Sequence, residues 1–297
     1  MWTADILELH CADAWRPVSE DKIGDWRLRA AADPVVLSGG RPPDPRLEAS
    51  PQTPSWDGTA RRGFTGRANS VLAVGDPGMP VARALEKVCE FAHTHRIPAK
   101  VQVVEGSETE REIAAAGWKP DTGHAPGHVV SVLVGPLNEG VQSEGVLNGL
   151  GACPQTGSGR HTPDGTVSML SEPSSGWWEL TVGTSTPGPA QRHVLTTGEI
   201  GYGVAVVGRV TAGAVRAAVA GGILLVARLA VRPEFRRRGL ATALMAACGS
   251  WAAERNAAAC VLQVAVDNAP ALELYRRLGF REHHRYRYWR PWKDRVL

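Results

Sequence analysis

The stretch GILLVARLAV, residues 222–231, is the most strand-like in the chain, and the turn after it leaves the backbone little choice. An apolar run of this length, broken only by Arg228, reads as a buried strand. It ends at Val231 in the turn RPEFRRRG. A helix is expected from Leu240 to Arg255, with Leu240, Leu244, Ala247 and Trp251 on one stripe. A core strand feeding a short loop and then a core helix puts the helix N-terminus beside the end of the strand. The first amides of that helix have no intrahelical partner, and the helix dipole adds partial positive charge there, so the turn is an anion site. Gly239 lets the backbone approach an anion closely, Ala241 keeps the next contact small, and Arg236, Arg237 and Arg238 add charge around the rim. The combination suits a pyrophosphate. The same residues also fit a plain solvated turn capping a core helix. No GK[ST] follows, which excludes a P-loop ATPase in its usual form.

The segments around this unit set the organisation. In the second half, PSSGWWEL reads as a helix, and GYGVAVVGR and AGAVRAAVAG as strands. AACVLQVAV is a strand, NAPALELYRRLG a short helix ended by Gly279, and FREHHRYRYWR a closing strand. The first half reads α-β-β-α-β-α-β. Its segments are DILELHCADAW, GDWRLRAA, RANSVLAVG, PVARALEKVCEFAHTH, AKVQVVEG, SETEREIAAAG and HVVSVLVG, with Ser107 and Glu110 forming a capping box. Two stretches lack periodicity. Residues 33–62, rich in Pro, Gly and Ser, are expected to be a flexible insertion, and 137–171 an interdomain linker. The expected domains are therefore 1–136 and 172–297. With 43% hydrophobic residues, 297 residues suffice for two cores.

Charge and cysteine usage narrow the function classes. A net charge of +3 does not demand nucleic acid or an acidic membrane as partner. The apolar run 205–231 carries Arg209, Arg216 and Arg228, too many for a membrane span. Cys11, Cys89, Cys153, Cys248 and Cys260 are scattered and form no CxxC pair, so buried reduced thiols are expected rather than disulfides or a zinc site. The N-terminus has acidic residues and no apolar core of a signal peptide, and a cytoplasmic protein is expected. His124 and His128 flank Pro126 and Gly127, which argues against a helical metal pair. In the tail RYRYWRPWKDR, alternating Arg and Tyr read as one wet and one packed face rather than as a nucleic-acid surface.

The pattern Arg236-x-x-Gly239-x-Ala241 resembles the [QR]-x-x-G-x-[GA] loop of the GNAT superfamily of acyl-CoA N-acyltransferases, and it stands in the same strand–turn–helix context. The segment LQVAVDNAPALELYRRLGF is similar to the closing segment of that superfamily: a strand, then Asn, then A-x-x-L-Y-x-x-x-G-F. The resemblance covers residues 177–289. The first half is similar to a degenerate repeat of the same fold, because GDPGMPVARAL follows its strand with no R-x-x-G-x-[GA]. Together the halves resemble two-domain GNAT proteins of actinobacteria.

The resemblance implies an α+β fold with a mixed, mostly antiparallel sheet flanked by helices, in a tandem arrangement whose first repeat is degenerate. It implies acetyl-CoA as cosubstrate, its pyrophosphate held by the backbone at Arg236, Arg237, Arg238, Gly239, Leu240, Ala241 and Thr242. It implies that Leu229, Ala230 and Val231 pair with the pantetheine arm, that Asn268 contacts the same arm, and that Tyr275 is the general acid for the leaving thiolate. A phenol pKa of about 10 lies close enough to that of a thiol for this transfer. The implied reaction is direct acetyl transfer to a primary amine, on a small molecule or a peptide, by a monomer or homodimer with no metal, nucleic acid or membrane involved. Tyr275 also fits an amphipathic core tyrosine, and Asn268 a helix N-cap. Many members of the superfamily place a Glu on the strand corresponding to GILLVARLAV, which has none. Glu172, Glu179 and Glu199 are the remaining candidates for a base, and His283 and His284 for an acceptor contact. The missing Glu also fits a non-catalytic acyl-CoA-binding or scaffolding protein.

Overall fold

The computed structural model describes residues 2–31, 65–123, 129–137, 160–162 and 165–292. The insertion expected at 33–62, and His124 and His128, lie outside the described residues. The first half runs α1 (Ala4–Asp13), β1 (Ser19–Ile23), β2 (Trp26–Ala30), β3 (Val71–Leu72), α2 (Val81–Thr94), β4 (Val101–Val104), α3 (Glu108–Ala115), β5 (Lys119–Pro120) and β6 (Val129–Gly135). The second half opens with β7 (Arg160–Thr162), β8 (Gly165–Leu170), α4 (Ser175–Val182) and α5 (Pro189–Thr196). It continues with β9 (Glu199–Val207), β10 (Val210–Ala220), β11 (Ile223–Val231), α6 (Leu240–Ala253), β12 (Ala259–Ala265), α7 (Ala269–Arg277) and β13 (Arg281–Arg290).

Several elements differ from the sequence expectation, each for a local reason. β1, SEDKI, has three consecutive exposed residues and no apolar alternation to reveal it. The segment expected as a linker carries β7 and β8 at its end, where Val167 alone is buried among the residues of β8, as an edge hairpin allows. RANSVLAVG forms a strand only at Val71–Leu72. Its start, Gly66–Ala68, is a 3-10 turn. The capping box at α3 reaches one residue further back than the pattern implies: Ser107 Oγ accepts from Glu110 N–H at 3.1 Å, and Glu110 Oε2 accepts from Gly106 N–H at 2.7 Å.

All thirteen described strands join one sheet, in the order β1-β2-β3-β4-β13-β6-β12-β11-β10-β9-β8-β7, with β5 beside β13. β3–β4 and β11–β12 are parallel pairs, and every other pair is antiparallel. The closing strands of the two halves are exchanged. β13, last in the chain, pairs with β4 of the first half through Tyr286↔Val104 to Trp289↔Val101. β6, last in the first half, pairs with β12 through Cys260↔Gly135 to Ala265↔Val130.

Apolar alternation assigns the two faces. On one, Trp15, Trp177, Tyr202, Leu225, Val261, Tyr286 and Tyr288 pack under α1 and α4. On the other, Val226, Leu262, Val264 and Tyr275 pack with Leu240, Leu244 and Met245 of α6. Each fully buried aliphatic side chain here contributes about 1.5–3 kcal/mol. The β10–β11 hairpin turns on Gly221 (φ 56°) and Gly222 (φ 74°), both positive as a type I′ turn requires. A Cβ at Gly221 would lie 1.9 Å from His10 Nδ1, so glycine there also admits α1.

Many ionisable groups are buried in their neutral form. Burial pushes the Cys248 thiol from 9.0 up to about 12 and raises the Cys11 and Cys260 thiols and the Tyr202, Tyr286 and Tyr288 phenols. Above about pH 9 the unfolded chain releases these protons and the folded chain keeps them, so stability is lost as pH rises. Arg29 and Arg216, depressed by burial to about 10 and about 9, act in the opposite direction but are fewer. The urea midpoint is expected to fall between pH 8 and pH 10.5; an unchanged or higher midpoint would contradict these burials.

Candidate active site

β11 and β12 stay in register only from Ile223↔Ala259 to Val226↔Leu262. Beyond that point they splay. The cause lies in β11: between its pairs with β10 at Arg216↔Ala227 and Ala214↔Ala230 it carries one residue more than its partner, and Arg228 sits at φ 54°. This bulge bends the strand away from β12. Arg228 Nη1 donates to Thr181 O at 2.7 Å, which anchors the bend to α4. From Ala227 to Val231 the edge of β11 that faces β12 has no strand partner among the described residues.

A cavity of about 190 Å³ fills the splay. Its walls come from both faces of the sheet. Leu229, Val264, Ala271 and Tyr275 belong to the α6–α7 side, and Trp15, Val130, Leu225, Tyr286 and Tyr288 to the α1–α4 side. The cavity therefore connects the two faces through the sheet. Among the described residues, no Asp or Glu lines it.

On the α6–α7 side lies the arginine–glycine turn. Pro233–Phe235 forms a 3-10 turn, Arg237 (φ 63°) and Gly239 (φ 75°) are left-handed, and α6 starts at Leu240. Left-handed residues alternating in this way turn successive N–H groups toward one side. The first bond into the helix is Ala243 N–H to Gly239 O at 3.0 Å. The N–H groups of Leu240, Ala241 and Thr242 thus precede the helical ladder. A Cβ built on Gly239 meets nothing within 4 Å. Arg236, Arg237 and Arg238 are exposed and make no ion pair among the described residues. Arg236 Nε donates to Val231 O at 3.2 Å and Arg238 Nη2 to Glu234 O at 3.4 Å.

The remaining expected residues distribute unevenly. Asn268 lines the cavity and caps α7, its Oδ1 accepting from Ala271 N–H at 3.3 Å. Tyr275 lines the cavity, is 7% exposed, and packs edge-on against Phe280 with ring centroids 5.8 Å apart. Burial, then the nearby Cys260 and Cys248, raises its phenol well above the ordinary value, so it holds its proton at neutral pH and is a weaker acid than the free phenol, without the close match to a thiol that the ordinary value implies. Leu229 lines the cavity; Ala230 and Val231 continue along the unpartnered edge. Glu179 and Glu199 lie elsewhere, paired with Arg232 (3.7 Å) and Arg255 (3.2 Å), and Glu172 does not line the cavity. His284 is turned to Glu8, with Nε2 2.9 Å from Oε1, and neither it nor His283 lines the cavity.

Sequence reasoning missed Trp15, Arg67, Gln263, Tyr286 and Tyr288. They come from α1's end, the 3-10 turn before β3, β12 and β13, and they meet only because the closing strands are exchanged. Arg67 Nε donates to Gln263 Oε1 at 2.6 Å and Nη2 to Gln263 O at 3.1 Å. The alternating Tyr of the tail was a usable signal: Tyr286 and Tyr288 form the packed face and are 0% and 2% exposed.

Among the described residues no helix is long and apolar enough to cross a membrane, and no group of three His, Cys, Asp or Glu residues could hold a metal ion. Solved structures share the architecture. A GCN5-related N-acetyltransferase from Kribbella flavida is 14% identical over 76% of this chain and 82% of its own, with a TM-score of 0.53. A tandem GNAT protein from the clavulanic acid biosynthesis pathway is 16% identical over 74% of each chain, with a TM-score of 0.52. A functionally unknown conserved protein from Staphylococcus epidermidis is 14% identical over 76% of this chain and 85% of its own, with a TM-score of 0.50. At these identities the likeness is one of fold: α+β, of GNAT type, in tandem. No curated protein matches the chain. A family model described as "Probable histone acetyltransferase Rv0428c C-terminal" matches residues 134–289, which is more than half of the sequence, and the chain therefore belongs to that acetyltransferase family.

Proposed function

We propose that the protein transfers an acetyl group from acetyl-CoA directly to a primary amine within a ternary complex. The observation that carries this reading is the splay of β11 from β12, with a cavity crossing the sheet and an anion-ready turn at one end of it. The N–H groups of Leu240, Ala241 and Thr242, with those of the turn at Arg237, Arg238 and Gly239, hold the pyrophosphate, and Arg236, Arg237 and Arg238 neutralise it. The open edge at Leu229, Ala230 and Val231 pairs with the amides of the pantetheine arm as a further strand would, and Asn268 lies beside it. Acetyl-CoA supplies the activated acyl group.

The bulged backbone near Arg228 directs main-chain N–H groups at the thioester oxygen, where negative charge develops. Tyr275, protonated in its buried site, gives its proton to the departing sulfur and regains one from solvent. A neutral amine loses one proton on forming the amide, so the overall exchange is balanced. The absence of a carboxylate from the cavity wall among the described residues favours an amine that binds already neutral. It also favours a second reading, an acyl-CoA-binding protein without turnover.

Calorimetry with CoA and acetyl-CoA, followed by thiol release in the presence of an amine panel, separates the readings. Heat with turnover supports the enzyme, heat without turnover supports the binding protein, and no heat removes both. Tyr275→Phe is expected to lower kcat by about a hundredfold or more with CoA affinity nearly unchanged. Equal turnover in that variant removes Tyr275 from the mechanism.

A further inference from the structure

The α1–α4 end of the cavity has a charge pattern that the acetyl-transfer reading does not explain. Arg67 lines it, and its guanidinium donates to the neutral side-chain and main-chain oxygens of Gln263, with the Tyr286 phenol, also neutral, close enough to act on it. No carboxylate pairs with Arg67 among the described residues. Its guanidinium carbon stands 5.7 Å from the ring centroid of Trp15. A second guanidinium, Arg216, approaches the same ring at 4.7 Å, is fully buried, and is held by Ala14 O, Val194 O and Leu195 O, again with no acid among the described residues. Trp15 lines the cavity at 2% exposure, and its buried indole N–H has no hydrogen-bond partner among the described residues. Glu8, close enough to act electrostatically on Tyr286 and Tyr288, does not line the cavity and is engaged by His284 and by Gln102 Nε2 at 2.5 Å.

Buried cations are ordinarily paired, and an unpaired buried donor is costly. A cavity wall whose described residues offer a cation and an idle donor but no carboxylate is the wrong surface for an ammonium group. It is the right one for an anion. We propose that this end of the cavity seats the carboxylate of the acceptor, held by Arg67 with the Trp15 indole N–H as a second donor. The acceptor is thus an amine that carries a carboxylate nearby, such as an amino acid or the C-terminal residue of a short peptide, and not a lysine side chain in a basic tail or a polyamine. The proposal rests on the acetyl-transfer reading and fixes its substrate class. Pairing with the Arg67 guanidinium also offsets the carboxylate's own stabilisation of the neighbouring ammonium, which lowers the amine's hold on its proton.

The test uses matched pairs in the presence of CoA: N-acetyl-L-leucine against N-acetyl-L-leucinamide by calorimetry, and L-leucine against L-leucinamide, spermidine and a lysine-rich peptide by turnover with acetyl-CoA. The acid is expected to bind at least about tenfold tighter than its amide, the worth of a charge-assisted hydrogen bond. Arg67→Gln is expected to bring the ratio near one while CoA affinity stays within about twofold of wild type, on the scale where tenfold is 1.4 kcal/mol. Trp15→Phe keeps an aromatic ring, removes the donor and is expected to reduce the ratio partway, so the proposal remains testable if Arg67→Gln does not fold.

Equal binding of acid and amide overturns the proposal, as does a preference that survives in both variants or faster turnover of the lysine-rich peptide. Comparison of succinyl-CoA with acetyl-CoA locates the anion. An Arg67-dependent preference that tracks the acyl group alone overturns the acceptor assignment. Discrimination between acid and amide in a protein that does not bind CoA would retain the anion site and remove the acetyl-transfer reading.

Discussion

Gly239→Trp is expected to abolish measurable CoA binding, a loss of at least about a hundredfold, while the protein stays folded. The magnitude reflects the contacts at stake: several main-chain N–H groups facing one dianionic group, each charge-assisted bond worth about 1.5–3 kcal/mol. The fold survives because a Cβ at this position meets nothing within 4 Å, so the indole projects into the space the pyrophosphate would take. The stability cost is that of a non-glycine residue at φ 75°, about 1–2 kcal/mol. Gly239→Ala carries the same backbone cost without the bulk and serves as the control. It is expected to lose a similar amount of thermal stability and much less affinity. Unchanged calorimetric affinity in the Trp variant would show that the nucleotide lies elsewhere.

Cutting the chain between its halves is expected to leave them together. A protease site placed within 138–159 breaks the covalent link without touching a described strand. The two fragments should then co-elute as one species at neutral pH, and should part only in denaturant. The six registered pairs between β6 and β12 and the four between β4 and β13 cross from one half to the other. The core adds to them: Trp289 of β13 packs among residues of the first half, and Trp15, just past α1, among those of the second. Expressed alone, 1–137 is expected to be insoluble or unfolded, since β4 lacks its neighbour and Glu110 loses the Trp289 N–H that binds it at 3.0 Å. Two separately folded, freely diffusing fragments would refute the exchanged arrangement.

Local signals were strong where one segment holds all of its own information. The strand–turn–helix unit of β11 and α6, the α7 helix with Gly279 after it, and the capped start of α3 all depend on neighbours in sequence. The turn's geometry, with Gly239 left-handed and the following amides outside the helical ladder, is of this kind. Legibility ended where an element's role is set by distant partners. β1 is an edge strand and β8 lies one place in from the β7 edge, both with little apolar alternation, so only their pairing reveals them. Arg67 stood inside what read as a strand; the 3-10 turn that aims it at Gln263 depends on a residue 196 positions away. Trp15 looked like the last apolar residue of a helix, and its place beside Tyr286 requires β13 to lie between β4 and β6. The α1–α4 wall of the cavity is assembled from several separate segments, so no spacing rule could have announced it.

The first half has no R-x-x-G-x-[GA] sequence after β3, yet it cannot be shed or replaced as an independent cassette. Its final strand is the wall on which β12 leans, and the chain's own last strand is lodged in its sheet in return. Substitutions on either side must therefore suit two cores at once. Widening the passage by swinging the halves apart would tear main-chain bonds along three seams, β4–β13, β13–β6 and β6–β12. Any molecule entering the cavity must pass by movement of side chains and loops at the rim, while the sheet around it stays rigid.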